Sequence, residues 1–534
     1  MKKFYCKSIT ILSLFILFGC NATKKYNEHN ARKIPVNKLH QDVDFVAKKL
    51  FKLHPSIDWY IAKEDLQYKF DSLKNTINEP LTPNEFYFKL SPIVSEVRQG
   101  HTMLLPRVPK LEKKERKRLI KLGKNPVATL RYKKIGDSFY LEKNYSKDSL
   151  LLIGSKIETI EGQNFNQLFK QYKNTFSSDG FNETFLSYGF SSRFPMYFAL
   201  NQNKNDSIAM VFSFKDSLFE KVLTRKGLVK NDSIKQEPKP VPVTLTKEQK
   251  KEKALERKQR ALKNRLFLYD FETKEYVRSL TYANQDSTTA ILKIKGFKHS
   301  KHKKAYDSIF KEIETNKVEN LILDLRNNPG GSLNEIHYLY GYLTNEPYQF
   351  IDTIKVTSKT GVATNRLRNA PIVPMVIASP FVLYTMISRT VATKKDKNGT
   401  YFYVDKTTKT TMPKPNAFQG KVYVLINGGS FSASCILSSN LKGSKRAIFV
   451  GEETGGTFNG TIAGNMPNVS LPNSKLTARI GMQDIRPTQK TTDFGRGIFP
   501  DITIETTVED LINNTDSQLN WILEDIEKNK KEIN

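Results

Sequence analysis

The chain has 534 residues, more than one hydrophobic core usually accommodates, so two or three domains are expected. Its 38% hydrophobic content, with 33 Phe and 23 Tyr, is enough for globular domains. A formal charge of +31 raises nucleic acid or an anionic surface as partner, yet the excess Lys is spread along the chain without a recognisable nucleic-acid-binding motif. No nucleic-acid partner is therefore expected, and the charge is read as setting solubility and attraction to acidic surfaces.

At the N-terminus Lys2, Lys3 and Lys7 precede an apolar run, Ile9 to Phe18, long enough for a signal peptide and too short to span a bilayer. It ends in Leu17-Phe18-Gly19-Cys20, which resembles a bacterial lipobox, although Phe18 is bulkier than that motif usually carries. On this reading residues 1–20 are a lipoprotein signal peptide, Cys20 carries the lipid anchor, and the protein sits on a membrane of the bacterial cell envelope, periplasmic or outer. Ordinary signal cleavage with Cys20 incidental is the alternative. Losing Cys6 with the signal and acylating Cys20 leaves Cys435 alone, so no intrachain disulfide is expected. Residues 21–37 read as a polar, flexible tether.

Residues 38–105 carry apolar side chains at helical spacing, among them Val43, Val46 and Leu50, then Leu66, Phe70 and Leu73, then Phe86, Leu90 and Val94, punctuated by Pro55, Pro80 and Pro83. A three-helix domain is predicted, with Thr82 as a cap, ending in Arg98-Gln99-Gly100-His101-Thr102. Residues 111–124 are strongly basic and read as a solvated helix or loop. Short strands follow at 128–132, 138–141 and 156–160, with a helix at 165–172. The string IGSKIETIEGQNFNQL resembles the end of a PDZ domain, without a clear glycine-rich carboxylate-binding loop, so residues 126–175 are assigned as PDZ-like. Peptide binding there would be by strand addition. Residues 176–285 read as an insertion holding an extended linker, Lys235 to Val243, and a charged helix opened by the Thr246-x-x-Gln249 capping box. Such a helix is a solvated arm, or a contact for a membrane surface or partner.

From residue 286 to 528 strands alternate with helices, the pattern of an α/β core. Strands are predicted at 290–294, 321–325, 372–378, 422–426 and 447–450, helices at 305–314 and 334–343, a polar rim loop at 395–415 and a terminal helix at 508–526. Two stretches stand out. In KVYVLINGGSFSAS, Lys421 to Ser434, an apolar strand stops at Asn427-Gly428-Gly429 and a helix begins at once. Ser430 and Ser432 can be plain helix caps. A serine there also has free backbone N–H groups and a helix dipole beside its hydroxyl, which suits acyl transfer. In VENLILDLRNNPGG, Val318 to Gly331, another apolar strand enters a glycine turn.

Together these stretches resemble the LDLRxNxGG and GxxSAS motifs of the carboxyl-terminal processing, or tail-specific, serine peptidases, and the likeness covers most of the chain from about residue 40. The resemblance implies a crotonase-like ββα core acting on proteins or peptides without a cofactor. It assigns the attack to Ser432, with Ser430 and Ser434 supporting, and the oxyanion to the N–H of Ala433 with one from Gly330 or Gly331, whose bland role is a turn. Where many members place a catalytic lysine this chain has Thr457. The base is therefore carried over from the tricorn-like branch, whose histidine comes from the N-terminal region, onto His101. Two positions depart from that branch. Gly100 stands where a serine precedes the histidine. Phe494 stands at the glutamate's position before Gly497-Ile498-Phe499-Pro500-Asp501, which resembles the family's GVxPD ending. Asp493, one residue away, is the candidate third member, with Glu452 and Glu453 as runners-up. No metal-ligand spacing and no phosphate-binding glycine loop is found in the sequence. The expectation is an envelope serine endopeptidase; its rivals are a non-catalytic peptide- or ligand-binding lipoprotein on the same scaffold, and an esterase using the same serine.

Overall fold

The computed structural model describes residues 22–146, 148, 151–201, 206–225, 246–271, 273–283, 287–368 and 379–533. The signal segment with Cys20, the linker at 235–243 and the strand expected at 372–378 lie outside these residues. Three helices open the domain sequence: α1 (Val36–Leu53), α2 (Lys63–Thr76) and α3 (Pro83–Ser95). The apolar residues that repeat at helical spacing, such as Val43, Val46, Leu50, Phe70, Phe86 and Leu90, are buried together. Thr82 and Glu85 close a reciprocal capping box at the start of α3.

Residues 22–31 differ from the expected tether, because they form a helix. Tyr26 lies 4.1 Å from both Arg107 and Lys110, and Asn27 exchanges two hydrogen bonds with the Lys110 backbone. Cation–π contacts dock it, and these leave no periodic apolar signature.

Strand β1 (Met103–Leu105) follows the helical domain at once. Next comes an antiparallel sheet in the order β2 (Leu130–Ile135), β3 (Ser138–Asn144), β4 (Lys156–Ile160), β5 (Ser207–Phe214), β6 (Ser217–Thr224). Helices α4 (Phe165–Tyr172) and α5 (Thr184–Asn201) interrupt it. The sheet is not complete by residue 175: β5 alternates buried Ile208, Met210 and Phe212 and supplies a central strand from the segment read as an insertion. Tyr132, Phe139, Phe165, Phe190 and Phe194 form an edge-to-face aromatic core between sheet and helices. Helix α6 (Lys247–Phe267) buries no residue.

The C-terminal half contains β7 (Arg278–Tyr282), β8 (Thr289–Ile294), α7 (His302–Thr315), β9 (Asn320–Asp324), α8 (Leu333–Leu343) and β10 (Ile351–Val356). It continues through β11 (Lys421–Ile426), α9 (Ala433–Gly443), β12 (Ile448–Gly451), β13 (Thr461–Ala463), β14 (Asn468–Ser470), β15 (Thr477–Arg479), β16 (Gln483–Pro487), β17 (Ile502–Thr503) and α10 (Ser517–Ile533). The main sheet runs β7-β8-β9-β11-β12-β17, parallel except for β7. On one face Leu321, Leu323, Val422, Val424 and Ile426 pack with Ile336, Leu339, Ile436 and Leu437. On the other, Ile322, Tyr423, Leu425 and Val450 pack with Ile522 and Ile526 of α10. Burial on both faces is why β9 and β11 read as continuous apolar runs.

The single terminal helix expected at 508–526 is broken, because Asn514 adopts a left-handed conformation (φ 52°) that ends the turn at Val508–Asn513 before α10 begins. The expected rim loop at 395–415 is partly a hairpin, Thr393–Lys395 with Tyr401–Tyr403, that extends a second sheet through β10, β16 and β13.

A further, three-stranded sheet joins the two halves. Hairpin β14–β15 leaves the core and pairs with β1, Met103 opposite Arg479. Its tip is held by fully buried Asp42 of α1, which accepts from the backbone N–H of Asn473 (2.9 Å) and Ser474 (2.7 Å) and from the Ser474 hydroxyl (2.5 Å). This seam delivers the segment carrying His101 to the carboxyl ends of β9 and β11, where ligands bind in open α/β sheets.

Candidate active site

The turn after β11 places Ser432 at the N-cap of α9 with φ 57° and ψ −115°, a conformation rarely adopted by a non-glycine residue. Its side chain makes no cap hydrogen bond. Instead Ser432 Oγ lies 2.9 Å from His101 Nε2, a pair 331 positions apart in the chain. The neighbouring serines have other partners: Ser430 donates to the Leu325 carbonyl (2.8 Å) and Ser434 to the Asn328 carbonyl (2.9 Å), pinning this turn to the loop after β9.

That loop brings the two glycines against the serine. A Cβ on Gly330 (φ +92°) would lie 2.6 Å from the Ala433 nitrogen and 2.9 Å from Ser432 Cβ, so only glycine fits. The Gly330 N–H is donated to Asn328 Oδ1 at 2.9 Å. Among the described residues the amides of Gly331 and Ala433 have no backbone or side-chain acceptor. Ala433 opens α9, where the helix dipole adds positive potential.

His101 sits in a turn closed by the Thr102 N–H donating to the Gln99 carbonyl (2.7 Å), and its ring centroid is 5.3 Å from that of Phe431. Burial, reinforced by the positive charges of Arg479 and Arg193, pushes the imidazole down to about 4, so it is neutral at pH 7. Nδ1 forms no hydrogen bond among the described residues. Gly100, which stands where the tricorn-like branch has a serine, leaves little room for a side chain: a Cβ would meet the Phe431 ring at 2.6 Å.

Among the described residues none of the three candidate acids is bonded to this pair. Asp493 is exposed, its N–H donating to the Thr491 hydroxyl and its carbonyl accepting from the Arg496 N–H. Glu452 accepts from Lys133 (3.1 Å) and the Tyr188 hydroxyl (2.9 Å); Glu453 accepts from Arg496 (2.7 Å) and the Gly497 N–H (2.7 Å). Thr457 is buried and donates to the Gly460 carbonyl. Cys435 is buried, and burial pushes its thiol up to about 12, which removes it as a nucleophile.

One carboxylate near the histidine escaped the sequence reading. Asp179 is 1% exposed and accepts from the Gly100 N–H (2.8 Å) and the Thr461 hydroxyl (3.0 Å); burial raises it to about 7 against these two hydrogen bonds. It lies in Ser177-Ser178-Asp179-Gly180, where Asp-Gly reads only as a turn signal.

Residues 288–504, which include Ser432 but not His101, match peptidase family S41. Among solved structures, mature CPAF is 15% identical with a TM-score of 0.56, covering 89% of this chain and 94% of that one. A point mutant of CPAF is 14% identical with a TM-score of 0.58 over 90% and 94%. CPAF complexed with lactacystin is 14% identical with a TM-score of 0.55 over 90% and 95%. At these identities the likeness is one of mixed α/β fold. No curated protein sequence matches the chain. Over residues 288–504 the chain thus matches the domain of peptidase family S41, which supports a serine-type peptidase.

Proposed function

We propose that the chain is an endopeptidase of the bacterial envelope in which Ser432 is the nucleophile and His101 the general base. Ser432 Oγ attacks the scissile carbonyl while His101 Nε2 takes its proton, and the carbonyl oxygen, now negative, is received by the Ala433 amide and one from the glycine turn. The proton passes from His101 to the leaving amine as the C–N bond breaks, and water then repeats the cycle on the acyl-enzyme. One observation carries this reading: a serine hydroxyl at a strained helix start points not to the free N–H groups it could cap but to an imidazole 2.9 Å away. A neutral imidazole at pH 7 supports it, because only that form accepts the proton. The same proposal includes a crotonase-like core, a PDZ-like antiparallel sheet and anchoring through Cys20, the last supported by the lipobox-like Leu17 to Cys20.

A fluorophosphonate probe tests it. The wild type should be labelled, Ser432→Ala and His101→Ala should not, and excess lactacystin, which CPAF is described as binding, serves as a competitor. A folded wild type that stays unlabelled would favour the rival binding lipoprotein. Labelling that survives in His101→Ala would remove the histidine from the mechanism. Cys20→Ala should move the protein out of the membrane fraction.

A further inference from the structure

In the serine–histidine template a carboxylate orients the imidazole by hydrogen bonding to Nδ1. Here Nδ1 has no such partner among the described residues: Asp493 is exposed, and the carboxylates of Glu452 and Glu453 are bonded to other groups. The ring is nevertheless held within hydrogen-bonding distance of Ser432; Phe431 flanks it, and the remaining constraint is the backbone that bears it. That backbone is fixed at two points. The Gly100 amide donates to Asp179 Oδ1 at 2.8 Å, and the Arg98 carbonyl accepts from the Gly180 N–H at 2.8 Å. The other carboxylate oxygen, Asp179 Oδ2, accepts from Thr461 Oγ1 at 3.0 Å, across 282 positions of sequence. Thr461 opens β13 and pairs with Ile485 of β16, inside the second sheet of the core. Asp179 thus touches the turn that carries the base with one oxygen and the peptidase core with the other.

We propose that Asp179 is the positioning residue for the base, setting the imidazole through the Gly100 amide instead of through the ring. This rests on the reading of His101 as the partner of Ser432. A carboxylate suits the task better than a backbone carbonyl, because its two oxygens can hold groups from two separate segments. Its immersion at 1% exposure gives both hydrogen bonds a low-dielectric setting in which they are strong. Gly100 completes the device, since a side chain there would strike Phe431 and lift the turn off its acceptor.

The test uses the full chain and the fluorophosphonate probe, reading two quantities: the maximal rate of labelling and the fraction finally labelled. Asp179→Ala should slow the maximal rate about 10- to 100-fold, with the probe concentration for half-maximal rate and the final labelled fraction both near wild type. A change in folding alone would lower the final fraction and leave the rate of the folded molecules unaltered. Asp179→Asn should recover the rate to within about 3-fold, because its Oδ1 still accepts from Gly100 and its Nδ2 can donate to Thr461 Oγ1. Should Asp179→Ala not fold, Thr461→Val replaces it, with a several-fold slower rate at full labelling expected. Wild-type rates in Asp179→Ala, or in Thr461→Val when that stands in, with His101→Ala unlabelled, overturn the positioning role while the serine–histidine reading survives. Wild-type labelling of His101→Ala overturns both.

Discussion

If His101 acts as proposed, acidifying the solution should leave the acylation of Ser432 within about 3-fold of its neutral rate to about pH 5, well below where an ordinary histidine base fails. The allowance covers protonation of Asp179, raised to about 7. Burial, with Arg479 and Arg193 nearby, holds the imidazole at about 4 in place of 6.5. At pH 5 a group titrating at 4 is about nine-tenths neutral, whereas one titrating at 6.5 is about 3% neutral, so the competent fraction differs about 30-fold. The sign follows from the direction of the shift: the neutral form is the base, and activity disappears only as the pH falls through the folded value. The assay is the second-order rate of fluorophosphonate labelling of the free enzyme after a pH jump, with return to neutrality to separate titration from acid unfolding. Arg479→Gln should move the acid limb upward, because that guanidinium is one of the two charges opposing the imidazolium. An acid limb near 6.5 in the wild type, unmoved by Arg479→Gln, would refute the burial argument.

Three further outcomes follow from individual contacts. Gly330→Ala introduces a Cβ 2.6 Å from the Ala433 nitrogen at a backbone with φ +92°, and should cost about 1–3 kcal/mol of stability and about 100-fold in labelling rate. His54 is fully buried with neither ring nitrogen bonded, and burial lowers it to about 3. The unfolded chain therefore binds its proton first, stability falls as the pH drops from 6.5 toward 3, and His54→Leu should reduce the loss between pH 6.5 and 4 by about 3 kcal/mol in urea unfolding. Asp42→Ala leaves two backbone amides and a hydroxyl of the β14–β15 tip without their acceptor, and should lower stability by about 2–4 kcal/mol and slow labelling as well, since that hairpin pairs with β1 beside His101.

Parts of this structure were legible in the residues for definite reasons. Strands β9 and β11 announce themselves because both of their faces are covered, and Thr82 and Thr246 start helices because their capping partners stand three residues on. The approach of His101 to Ser432 was not legible in either segment alone, since no local pattern encodes a contact across 331 positions; it was expected only through the family motifs. Asp493 is a candidate in the sequence because it adjoins Phe494, the position that aligns with the family's glutamate, but Phe494 packs against Trp59 and Tyr60 while Asp493 itself stays exposed. Asp179 was overlooked because its importance lies in a backbone amide and a distant hydroxyl. The helix at 22–31 was missed because one tyrosine between two cations anchors it.

The seam between β1 and the β14–β15 hairpin has a consequence for the life of the molecule if Ser432 and His101 act as proposed. A polypeptide leaving the ribosome holds the imidazole from its early portion and the hydroxyl only near its end, and neither works until the late hairpin has closed over the early strand. A fragment severed anywhere between them would keep at most half a catalyst. On that reading the architecture ties assembly of the catalyst to the closing of the late hairpin over the early strand.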